Sequence, residues 1–278
     1  MQIADQDPIP TVQVADADAA SSVITPDSPP WNLVTGFLVW VASVAAIFVF
    51  PLLVMIPYFL ITREAMPDDP SNDSRVILLS LIGVIPAHIF TLIVAWPVVT
   101  GGRGLDPKKT LGFNFGAVRW WMLPLVAAAF FALAYGVTAI FPEQDNDVLR
   151  IIRSSRTAAV VLAFVATFFA PVVEEVVYRG ILYSALLKKA GTTVAVILVT
   201  LMFAGIHYPQ YWGSPGSIIL ITLLSLILTL TRTVSGNLLP CIVLHLIFNG
   251  VQAVSIIAAV ISGEDISAPV DSLQGLFR

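Results

Sequence analysis

The 278-residue chain is 57% hydrophobic and only 12% charged, with a mean hydropathy of +0.89 and a net charge of −4. Soluble domains carry about 25% charged residues, so the composition excludes a soluble nucleic-acid-binding protein and points to a polytopic membrane protein. The single cysteine, Cys241, allows no internal disulfide, and its apolar surroundings predict a small packed hydrophobe.

In chain order, residues 1–30 hold five aspartates, several prolines and no Lys or Arg. A signal peptide begins with a basic region and an apolar run, so this stretch predicts instead a disordered acidic tail, reaching residue 32. A first span is expected over Val34–Ile61, bent at Pro51 and Pro57. A second covers Val76–Val99, and the polar loop after it ends on Trp120–Trp121, a pair suited to the membrane interface. A third span, Trp121–Phe141, leads through the polar connector "PEQDNDVLRIIRSSR" into a fourth, Thr157–Leu187. Short helices are expected at Thr193–His207 and Ser217–Thr231, then a last span at Leu238–Ile261 and a tail over 266–278.

Helical runs of about 20 apolar residues cross a hydrocarbon core of roughly 30 Å. The fold class is therefore all-α: a polytopic membrane helix bundle of seven or eight spans, embedded over 33–265. The expected setting is the plasma (inner) membrane. Loops on the side of the amino-terminal tail carry seven Lys or Arg and the opposite side six, so the positive-inside rule assigns no orientation. No internal repeat is visible, which counts against transporters built from inverted halves.

The stretch "APVVEEVVYRG" (170–180) breaks the apolar pattern. Of 18 acidic residues only Glu174 and Glu175 fall inside a span, and of 14 basic residues only Arg179 lies well inside one. Each such group costs about 2.5–3.5 kcal/mol on insertion scales, so three in six residues need a reason. Glu175 and Arg179, four apart, share a helix face and can pair. Glu174 points about 100° away and needs a partner from elsewhere. A buried polar clasp between helices is the bland alternative. Pro171 removes a hydrogen bond to the Thr167 carbonyl and bends the helix just before the acids.

His207 closes "FAGIH" at the end of a short helix, and His245 and Asn249 share one face in "HLIFN". His88 has no polar neighbour at helical spacing and is expected to hydrogen-bond between helices. If Thr157–Leu187 and Thr193–His207 form a tight hairpin around Gly191, paired positions sum to about 380, placing Glu174 beside His207. The same counting brings His245 only within about two turns of that level. Short helices are tolerated where they line a watered cavity, which a hydrolytic site inside a membrane requires.

A carboxylate in a low-dielectric site is a competent general base for water. A nearby imidazole can hold that water, and an imidazole and an amide four residues apart can donate to an oxyanion. Glu174, His207, His245 and Asn249 are thus a complete set for water attack on a peptide carbonyl, with no serine or cysteine in a nucleophile motif.

"EEVVYR" (174–179), "FAGIH" (203–207) and "HLIFN" (245–249), in this order on apolar helices, resemble the motifs EExxxR, FxxxH and HxxxN of the CPBP family of intramembrane proteases. That family includes the type II CAAX prenyl endopeptidases and bacteriocin-processing or self-immunity proteins. The resemblance, over 157–261, implies that Glu174 activates water with His207, that His245 and Asn249 stabilise the oxyanion, and that Glu175 and Arg179 support the site. It implies no metal. Zinc held by Glu174, His207 and His245 is the chemical alternative, although HExxH is absent. The implied partners are the lipid bilayer and a peptide or protein substrate: a prenylated protein, a leader peptide or a membrane protein. A non-catalytic partner or immunity role, and an ion- or proton-coupled transporter using Glu174, Glu175 and Arg179, are the competing readings. The transporter reading calls for further acids on other spans, and the sequence has none.

Overall fold

The computed structural model describes residues 24–102 and 104–263. Within them helices joined by turns and loops make up the fold, with a single β-bridge between Thr25 and Ser28. The expected tails over 1–23 and 266–278 lie outside the described residues.

Asn32 caps α1 (Leu33–Thr62) by accepting from the Thr35 amide, and Asp73 caps α2 (Ser74–Val99) by accepting from the Arg75 and Val76 amides. These two helices form an extensively packed pair. Gly83 makes that approach possible, because a Cβ there would stand 2.5 Å from Cα of Pro51. In lipid, where no hydrophobic force drives helices together, small residues at such crossings supply the packing.

Two short helices flank α4 (Met122–Ile140): α3 (Pro107–Leu111) and α5 (Asp147–Ser154). The last lies where sequence predicts a polar connector. Asn146 accepts from the Leu149 amide to start it, and Ile151 and Ile152 then pack against Ala158 and Ala159 of the next helix.

Residues Arg156–Tyr211 form one helical stretch of 56 residues. It begins as α6 (Arg156–Phe164), widens to a π turn at Val165–Phe169, and continues as α7 (Ala170–Glu175). A second π segment, Val176–Leu182, leads into α8 (Tyr183–His207), which reverses direction at Gly191. Gly191 sits at φ 81°, open to glycine at no steric cost. The reversal lays Phe203 against Tyr178, ring centroids 5.1 Å apart. A 3₁₀ turn (Tyr208–Tyr211) then leads to α9 (Pro215–Ser235) and α10 (Leu239–Ser262). Six stretches are long and apolar enough to cross a membrane, and the reversal at Gly191 makes seven passes. The protein is an integral, multi-pass membrane protein.

Three expectations need correction. The helix expected at Ser217–Thr231 runs Pro215–Ser235, because Pro215 is pre-shaped for a first turn and Gly236, at φ 66°, is the residue able to cap the end. Its 21 residues are therefore long enough to span. Arg232, expected in a loop, lies in the last turn of this helix and is 1% exposed. The tail expected to reach residue 32 packs from residue 24 onward, with Trp31 in the core and its indole N–H bonded to the Ile181 carbonyl. Cys241 is buried, as expected.

One core cluster surrounds the 173–186 stretch and Phe203, and a second joins α4, α9 and α10 through Phe130, Leu228, Leu244 and Phe248. Phe48, Leu60, Ile93 and Val234 point outward, as side chains facing lipid do. A surface cavity of about 690 Å³ lies between Trp31 and the end of α2, and Glu174 does not line it.

Candidate active site

Both π turns flank the paired glutamates. The Ala170 amide reaches back five residues to the Val165 carbonyl, and the Tyr183 amide likewise to Tyr178. Proline at 171 lacks the N–H that would continue an ordinary ladder, which accounts for a change of winding at this point. Single-turn π segments are frequent at functional sites.

Glu175 and Arg179 are wholly buried and paired, Nη1 to Oε1 at 2.8 Å. Arg179 Nη2 donates to the Ser225 carbonyl (3.0 Å) and hydroxyl (2.9 Å), and Nε donates to Thr229 Oγ1 at 3.3 Å. Its guanidinium carbon stands 4.6 Å from the Phe203 ring centroid. Burying a charge is tolerable only when it is paired and hydrogen-bonded to this degree. Glu175 Oε1 also receives His245 Nδ1 at 2.8 Å, while Oε2 has no partner among the described residues.

Glu174 is placed differently. Its side chain is 16% exposed, as is 15% of His207, whose Nε2 lies 4.0 Å from Oε1. His245 Nε2 lies 3.8 Å from Oε2. Both distances exceed a hydrogen bond and suit one bridging water. Each imidazole is oriented from behind. His207 Nδ1 is 2.8 Å from the Phe203 carbonyl, which can only accept, so Nδ1 carries the proton and Nε2 faces Glu174. His245 is held the same way by Glu175.

Asn249 sits one turn beyond His245 on α10. Its Nδ2 donates to the Ala166 carbonyl at 2.7 Å, inside the first π turn, and its other N–H is uncommitted among the described residues. The structure thus brings Glu174, Glu175, Arg179, His207 and His245 together, with Asn249 at the edge. His88, expected to hydrogen-bond between helices, is buried, and its Nδ1 has no partner among the described residues.

Sequence reasoning missed Ser225, Thr229, Arg232 and Trp40. Trp40 donates its indole N–H to the Tyr178 hydroxyl at 2.9 Å. A serine and a threonine four apart in "SLILT" are the available signal for a polar stripe on α9, and they line the Arg179 pocket.

Zinc needs three converging protein ligands with an open position. The rear support on both imidazoles is of the kind metal ligands receive. Yet no group of three or more His, Cys, Asp or Glu close enough to hold an ion occurs among the described residues.

Fold and site together define a polytopic membrane protein with a dry ion pair supporting a partly open Glu–His pair at the bundle centre. Residues 156–251, which include all three motifs, match the family model described as Type II CAAX prenyl endopeptidase Rce1-like. Over this segment the chain is similar to that family, whose model covers all three motifs. No curated protein and no solved structure matches the chain.

Proposed function

We propose that the protein hydrolyses a peptide bond within the membrane, using water activated by Glu174 and His207. The observation that carries this reading is the contrast between adjacent acids. Glu175 is dry and committed twice, whereas Glu174 is partly open and faces two Nε2 atoms at 4.0 and 3.8 Å, just beyond hydrogen-bond distance, where one water can bridge from the side.

Water held between Glu174 and His207 gives its proton to the Glu174 carboxylate as its oxygen attacks the scissile carbonyl. His207, protonated at Nδ1, offers the Nε2 lone pair to orient that water. His245, its ring held by Glu175 at Nδ1, donates from Nε2 to the oxyanion from the opposite side. The free N–H of Asn249 is the second donor. Glu174 then returns its proton to the leaving amine, and no covalent acyl-enzyme forms. The fitting substrate class is a membrane-delivered peptide segment, such as a prenylated carboxyl terminus or a leader peptide. A zinc-bound water would use the same residues, but their pairwise convergence favours the carboxylate mechanism.

The test is reconstitution of the purified protein with a library of prenylated and unprenylated peptides, with cleavage read by mass spectrometry. Defined fragments, formed with or without chelator, are expected. Absence of cleavage across the library, or chelator-sensitive cleavage with stoichiometric zinc, contradicts the substrate reading or the metal-free reading respectively.

A further inference from the structure

Three successive carbonyls of the π segment Val176–Leu182 receive side-chain donors. The Arg179 carbonyl accepts from Arg232 Nε at 3.2 Å, the Gly180 carbonyl from Ser184 Oγ at 2.6 Å, and the Ile181 carbonyl from Trp31 Nε1 at 3.0 Å. A π turn shifts carbonyls out of the ordinary ladder, and within a membrane protein such acceptors need protein donors.

Two of these donors depend on the stretch before α1. Trp31 belongs to it. Arg232 is held by it, through Asp27 at 2.8 Å and the Pro26 carbonyl at 2.9 Å, with its guanidinium carbon 5.1 Å from the Tyr183 ring centroid. Lys188 Nζ adds a tie to the Pro29 carbonyl at 3.2 Å. The backbone that Arg232 holds is that of Arg179, whose side chain holds Glu175, which in turn holds His245. A continuous path runs from Asp27 at the surface to the imidazole facing Glu174.

We infer that the segment Ile24–Trp31 is a positioning clasp for the catalytic helix, fixing through Trp31 and the Asp27–Arg232 pair the π register that keeps Arg179 engaged with Glu175. The inference rests on the reading of Glu175 as the support of His245. The clasp touches neither Glu174 nor His207, so its loss falls on turnover rather than on substrate binding.

Full-length Trp31→Phe keeps the aromatic bulk and removes the indole N–H, and Asp27→Asn removes one charge from a side chain that is half exposed. Each is measured for kcat and KM on a cleaved peptide, for melting in detergent, and for amide hydrogen exchange over residues 176–186. Loss of one such hydrogen bond predicts a fall in kcat of about fivefold with KM little changed, and faster exchange in the π segment. Asp27→Glu is expected to restore most of what Asp27→Asn loses. Faster exchange with unchanged kcat overturns the inference, since the segment then only adds stability. Unchanged exchange and unchanged kcat overturn it as well. A wild type that cleaves no peptide, with exchange still quickened in the variants, overturns the protease reading while supporting the coupling of the segment to the π turn.

Discussion

Arg179 shows how a charge is made tolerable at this depth. Its guanidinium is spread over Glu175, Ser225, Thr229 and the face of Phe203, with none of its side chain exposed. Removing it strands the Glu175 carboxylate and loosens His245 together. Arg179→Ala is therefore expected to cost about 3–5 kcal/mol of stability as well as activity, as losing one partner of a buried pair does. Thermal melting in detergent checks this, and an unchanged curve contradicts the pairing. Asn249 allows a finer distinction. Asn249→Ala frees the Ala166 carbonyl and, on the proposed mechanism, removes an oxyanion donor, so melting temperature and kcat are both expected to fall. A fall in kcat of about 100-fold or more with little change in KM assigns it to the oxyanion. Loss of stability alone leaves it as a prop for the π turn.

At the scale of elements, the hairpin was legible because its turn and its pairing are both local. Gly191 supplies the one left-handed residue, and the expected sum of about 380 compares with 381 for Glu174 with His207 and for Tyr178 with Phe203. His245 was not legible, because two further helices intervene and their crossings depend on side-chain packing that no periodicity encodes. The π turns were equally hidden, since Pro171 signals a disturbance without fixing its kind. At Gly83 the backbones of α1 and α2 approach too closely for a side chain, so Gly83→Leu is expected to force the helices apart there and cost about 1–3 kcal/mol, visible as a lower melting temperature. The α2 cap carries a pH dependence. Asp73 is held near 2, below its ordinary 3.8, chiefly by the Arg75 guanidinium. This contribution is complete above 3.8 and is lost as pH falls through about 2. Rate-corrected hydrogen exchange at the start of α2 is expected to quicken in that window, and Asp73→Asn is expected to abolish the change.

For the whole molecule, the all-helical membrane class was legible in the sequence, while the structure added how the buried polar residues are joined. Charge in an apolar span is conspicuous in one dimension, so Glu174, Glu175 and Arg179 stood out at once. Arg232 did not, because a basic residue near a helix end reads as a loop cation until its burial is seen. The seven passes hold a dry pair at the centre, and Glu174 is the acid they leave open. That division of labour between neighbouring glutamates is the central claim, and the turnover of purified Glu174→Gln tests it most directly. The amide keeps the shape of the side chain but cannot take a proton from water. The predicted result is a folded protein with wild-type melting and a kcat lower by at least about 100-fold, the range lost with a general base. Turnover close to wild type in that variant would contradict the account.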